Sequence, residues 1–173
     1  MSACKASRIL RVAGASILVG AVFLLAVAAA APTITTVQLT DRESGETLAV
    51  YPLEEGEEFE IRYVHSFEKT PIHETYVVDG SDIVQVREAY AYHAAGLEHS
   101  RETYREGNMT VSEFERELGT FSVRVASTTE QDLVIDGRER PLQSYAESGS
   151  TIQFSAERTN YAVYRLLSAA GRW

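Results

Sequence analysis

The sequence predicts an all-β fold, an antiparallel sandwich or partly open barrel, preceded by an N-terminal apolar helix. Two observations carry this. Beyond residue 33 the chain reads as short segments in which apolar and polar residues alternate, and the breaks between them carry Gly and Asp at regular spacing. A chain of 173 residues with the first thirty or so set aside is one domain of ordinary size.

The elements follow in order. "ITTVQLT" (34–40) and "TLAVYPL" (47–53) flank the turn composition "DRESGE", and "EEFEIRYVHSF" (57–67) alternates cleanly. "IHETYVV" (72–78) and "DIVQVREAY" (82–90) are joined across "DGS". "TFSVRVAS" (120–127), "DLVID" (132–136), "RPLQSY" (140–145) and "STIQFSA" (150–156) continue the series, with "DGRE" and "AESGS" as turns. Residues 97–108 are polar and read as a long surface loop. Residues 112–119 carry the capping-box pair Ser112 and Glu115, which leaves a helical turn or a strand open. The tail 160–173 fits a last strand or a short helix, and Tyr161, Val163 and Tyr164 favour the strand.

The leader is distinct. Lys5, Arg8 and Arg11 precede an uncharged run from Val12 to Ala31. Residues 1–31 therefore read as a signal peptide or a transmembrane anchor, and 32–173 as an extracytoplasmic domain, because the basic residues hold the N-terminus inside. The formal charge is −9, and the three positive charges of the leader leave −12 for the rest, which argues against a nucleic-acid partner. Lys5 and Lys69 are the only lysines, a composition that suits either a salt-rich medium or an acidic surface kept for solubility. The single cysteine, Cys4, permits neither an internal disulfide nor a cysteine metal site. "NMT" (108–110) is a glycosylation sequon.

The stretch "YVHSFEKTPIHE" (63–74) spends strand positions on polar groups. Alternation puts Phe59, Ile61, Tyr63, His65 and Phe67 on the core face. A four-residue turn at 68–71 pairs Phe67 with Ile72 and sets His65 opposite Glu74. A three-residue turn at Asp79, Gly80 and Ser81 then brings Val84, Val86, Glu88 and Tyr90 to the same face. Glu74 is opposite Val86, with Glu88 diagonal to it. His65, Glu74 and Glu88 thus converge on an apolar face, and Ser66 points away.

Four uses of this cluster stand side by side. It is a satisfied structural network, with His65 donating to Glu74 and either backbone or an arginine such as Arg87 or Arg124 serving Glu88; a site for a small polar ligand or a partner loop; a metal site of His65, Glu74 and Glu88; or a hydrolase with His65 as base and a glutamate as orienter. No Gly-x-Ser-x-Gly nucleophile motif accompanies the last. His93 and His99 flank Gly96, where they either rim a pocket or, as loop histidines more often do, stand in solvent.

His65, Ser66, Glu68, Thr70, Pro71, Glu74 and Glu88, followed by "YHAAGLE" (92–98), resemble the pattern of the family catalogued as domain of unknown function 1850. Ala94 and Glu98 depart from that pattern, and Gly96 and Leu97 keep it. The resemblance is strongest over 57–98. It implies a small exported accessory protein of a TRAP-type transporter, binding a solute or docking to the membrane subunit, with no cofactor and no established activity. The site residues it implies are His65, Ser66, Glu68, Glu74, Glu88 and Gly96.

Overall fold

A computed structural model describes residues 31–54, 56–91 and 102–169. Among them the chain forms eleven strands, one helix and one 3-10 turn at Leu142–Ser144. The strands are β1 (Thr33–Asp41), β2 (Thr47–Leu53), β3 (Glu58–Val64), β4 (Pro71–Asp79), β5 (Asp82–Ala91) and β6 (Thr103–Glu106). They continue with β7 (Met109–Gly119), β8 (Phe121–Arg124), β9 (Gln131–Ile135), β10 (Arg138–Pro141) and β11 (Thr151–Asn160), and helix α1 spans Tyr161–Ala169. The expected all-β class holds. All pairings are antiparallel and fall in two open sheets, ordered β2-β1-β11-β8 and β10-β9-β3-β4-β5-β7-β6. The described strands form no closed barrel.

The body spanning 34–158 has one main core shared by both sheets. Phe59, Ile61, Tyr76, Val78, Ile83, Leu133 and Ile135 come from the large sheet, and Val37, Leu39, Ile152, Phe154 and Ala156 from the small one. Four aromatic rings bind the two layers. Phe59 stacks on Tyr76 at 5.2 Å, Tyr76 on Phe121 at 4.5 Å, and Phe121 on Phe154 at 4.8 Å between centroids. Rings at such spacings add about 0.5–1.5 kcal/mol per pair beyond their burial.

Several local expectations change. The polar stretch 97–108 holds β6, which pairs with β7, and 112–119 is strand throughout. Neighbouring strands satisfy its backbone, so the Ser112/Glu115 capping signal has no helix to cap. Residues 140–145 are strand only to Pro141. The tail is helical at Tyr161–Ala169, not strand. Its signal is Asn160, whose side-chain oxygen accepts from the N–H groups of Ala162 at 2.9 Å and Val163 at 3.3 Å, as an N-cap does. Arg165 then stacks on Tyr161 one turn away, 5.9 Å from the ring centre. Asn108 of the sequon is exposed in the β6–β7 turn. Residues 1–30 of the leader lie outside the described residues. No helix among the described residues is long and apolar enough to cross a membrane.

Candidate functional site

The β3–β4 hairpin closes earlier than the sequence pattern suggests. Val64 pairs with Pro71, Tyr63 with Ile72 and Ile61 with Glu74. The expected partners Phe67 and Ile72 are therefore displaced by four residues, and His65 is not opposite Glu74. An even displacement keeps the residues that remain paired on their predicted faces, so Ile72, Glu74, Tyr76 and Val78 still share the inner face with Phe59, Ile61 and Tyr63.

Residues 65–70 form a loop held by its own polar groups. The His65 N–H donates to the Thr70 carbonyl at 2.8 Å, and the Lys69 N–H donates to the His65 carbonyl at 2.9 Å. The Glu68 N–H donates to His65 Nδ1 at 3.2 Å. Lys69 takes a φ of 56° to close the loop. These bonds satisfy backbone that the longer strand would have paired, which is the physical reason for the shorter hairpin. Ser66 is exposed, and Phe67 is 87% exposed instead of lying in the core.

The β4–β5 hairpin also differs. Asp79 pairs with Asp82, so the turn has two residues, Gly80 and Ser81, with Gly80 at a φ of 63°. Near the turn Ile83 faces the main core, and Val84 lies on the outer face opposite Val77. Val86 is then an extra residue: Gln85 pairs with Tyr76, and Arg87 with Thr75. This bulge reverses the alternation, so Glu88 and Tyr90 return to the inner face. Val84 and Val86 do not. They line an outer cavity of about 560 Å³ with Val77, Glu115 and Glu117, which does not reach Glu74 or Glu88.

Glu74 and Glu88 consequently stand directly opposite each other, not diagonally. They belong to one row across the sheet, Leu133, Ile61, Glu74, Glu88 and Ser112. One neighbouring row holds Tyr76 and Gln85; two positions along on the other side lie Ile72 and Tyr90, a small second apolar cluster packed by Tyr63. Both oxygens of Glu74 are used. Tyr63 Oη donates to Oε1 at 3.1 Å, and Tyr76 Oη donates to Oε2 at 2.8 Å. Burial pushes the Glu74 carboxyl above its ordinary value, the two tyrosine hydroxyls pull it back, and the Glu88 charge raises it again. Burial and the Glu74 charge in turn hold both tyrosine hydroxyls well above their usual value.

Of the residues singled out in the sequence, the structure joins Glu74 and Glu88 and sets His65, Ser66 and Glu68 in the loop. The alternative metal triad of His65, Glu74 and Glu88 is not assembled: among the described residues no three His, Cys, Asp or Glu side chains are grouped to hold a metal. Arg87 does not serve Glu88. It lies on the outer face and pairs with Glu106, while Arg124 belongs to β8 in the other sheet. Gly96, His93 and His99 lie outside the described residues. Sequence reasoning passed over Tyr63, Tyr76 and Ser112 as site residues. The tyrosines had a signal, since a core-face tyrosine must place its hydroxyl on a polar partner. Ser112 had none, because only β5–β7 pairing brings it to Glu88.

The fold and the row together define a two-sheet antiparallel β protein with an acidic pair set into the inner face of its larger sheet. Residues 59–142, from β3 to the start of the 3-10 turn, match the family described as Domain of unknown function (DUF1850). The match supports that family and spans every strand of the larger sheet. No curated protein and no solved structure matches the chain.

Proposed function

We propose that the protein is an exported accessory component of a TRAP-type uptake system that docks to the transporter's membrane subunit and is not an enzyme. One observation carries the docking part. The loop 65–70, inside the family-matched segment, is fixed by three internal hydrogen bonds and holds Phe67 almost wholly in solvent. An aromatic side chain on a preorganised loop loses little conformational freedom on binding, and aromatic anchors of this kind dominate interface energies. Lys69, the only lysine beyond the leader, adds a positive charge two residues away on an otherwise acidic domain. The export and the transporter come from the basic-apolar leader and the family resemblance. The competing hydrolase reading has less support, since His65 Nδ1 accepts the Glu68 N–H and Glu74 pairs with Ile61.

The test is affinity purification of the full chain from solubilised membranes of cells that express a TRAP-type transporter. Co-purification of a polytopic transporter subunit with the wild type, and its loss with Phe67→Ser, is the expected result. Recovery of no membrane subunit with the wild type rejects the reading.

A further inference from the structure

Helix α1 buries none of its residues. Helices shorter than about 12 residues are marginal in water, and in proteins an apolar face packed on the body usually holds them. At nine residues, α1 instead leaves Val163 45% and Leu166 70% exposed. Val163, Leu166 and Leu167 follow the three-and-four spacing of one helical stripe, and Arg165 and Ser168 fall on the other side. Local contacts hold the first turn: the Asn160 cap, and Arg165, which also donates to the Tyr161 hydroxyl at 3.2 Å. The segment is basic as well. Residues 158–173 contain Arg158, Arg165 and Arg172 and no Asp or Glu, in a domain that is otherwise acidic.

The helix also starts where the leader stops. The Tyr161 N–H donates to the Pro32 carbonyl at 2.9 Å, and the Asn160 side-chain amide donates to the Ala31 carbonyl at 3.3 Å. Ala31 is the last residue of the uncharged run that begins at Val12. About twenty apolar residues reach across the hydrocarbon of a bilayer. With that run in the membrane, these two bonds hold the first turn of α1 at the bilayer surface.

We propose that α1 is an interfacial helix that lies on the outer surface of the membrane, with Val163, Leu166 and Leu167 in the lipid and its arginine among anionic headgroups. It cannot span: nine residues rise about 13 Å, against about 30 Å of hydrocarbon. A helix with an apolar stripe and a basic polar side settles about 5–10 Å into the boundary between headgroups and acyl chains. Tyrosine rings such as that of Tyr161 favour the same level. The tether to the end of the leader makes lipid the surface nearest the stripe, and the arginines complement anionic headgroups. The proposal rests on the anchor reading of residues 1–31 and not on docking through Phe67.

Trp173 is the only tryptophan, so the full chain carrying Trp173→Phe and Leu166→Trp reports from the stripe alone. It would be reconstituted in nanodiscs of phosphatidylcholine and phosphatidylglycerol, with acyl chains brominated either near the headgroup or near the chain end. The expected emission lies at shorter wavelength than that of tryptophan in water, is shielded from iodide, and is quenched more by the shallow bromines than by the deep ones. Val163→Trp in the same Trp173→Phe background is a second probe and should behave alike. Adding Val163→Asp to the Leu166→Trp chain should lower the lipid quenching severalfold and leave the urea midpoint unchanged, because Val163 is exposed. Tryptophan open to iodide and untouched by bromine overturns the proposal. Quenching by neither agent overturns it as well, because protein then covers the stripe, and stronger quenching by the deep bromines overturns the surface placement. A chain that does not enter the discs rejects the anchor and the proposal together, whereas a chain that enters them with its tryptophan in water rejects the role of α1 alone.

Discussion

Glu74 on β4 and Glu88 on β5 face each other directly across the middle of the larger sheet, with both oxygens of Glu74 receiving tyrosine hydroxyls. Hydrogen bonds to a charged group contribute about 1.5–3 kcal/mol. Tyr76→Phe removes such a bond at a fully packed position and should lower stability by about that amount. Tyr63→Phe, at a longer contact and a less buried site, should cost less. Urea unfolding of the full chain checks this, and two variants as stable as the wild type would show that Glu74 is not held by the hydroxyls.

The hairpin register predicts a contrast between two phenylalanines. Phe59→Ala opens a cavity in the shared core and should cost about 3–5 kcal/mol. Phe67→Ala should stay within about 0.5 kcal/mol of the wild type, because its ring is in solvent. Comparable losses for both would restore the longer hairpin in which Phe67 meets Ile72.

His73 lies on the outer face opposite Arg62. Burial first, and the Arg62 charge second, hold its imidazole below the ordinary value of 6.5. The folded state therefore binds fewer protons than the unfolded state. The contribution is fully present above about pH 6.5 and is lost as pH falls through the lowered folded value. His73→Gln should flatten the stability profile between about pH 7 and pH 5. A profile equally steep in the variant would place the titrating group elsewhere.

Asp136 and Gly137 close the β9–β10 hairpin with φ of 53° and 64°, the left-handed pair of a type I′ two-residue turn. Asp136→Asn should change stability by no more than about 0.5 kcal/mol, since Asn tolerates this conformation. Asp136→Val should cost about 1–2 kcal/mol through its branched Cβ. Denaturant midpoints of the two variants measure the difference, and a Val variant as stable as the Asn variant would contradict the turn type.

By itself the sequence determined the all-β class, most of the strands, and the faces of β3 and β4, because a period of two is written directly in residues such as Phe59, Ile61, Tyr63 and Ile72, Tyr76, Val78. It placed Glu74 and Glu88 on one face. Tertiary structure decided how they meet. Sliding the β3–β4 hairpin by four residues leaves the faces of the paired residues unchanged, so alternation could not separate Tyr63 from Phe67 as the partner of Ile72, and the hydrogen bonds within 65–70 made the choice. The two-residue turn set Val84 outward, and the bulge at Val86 broke the count of one residue per step and returned Glu88 to the inner face, squarely against Glu74. Ser112 reached the pair only through β5–β7 pairing, a contact between segments whose local patterns carry no record of each other.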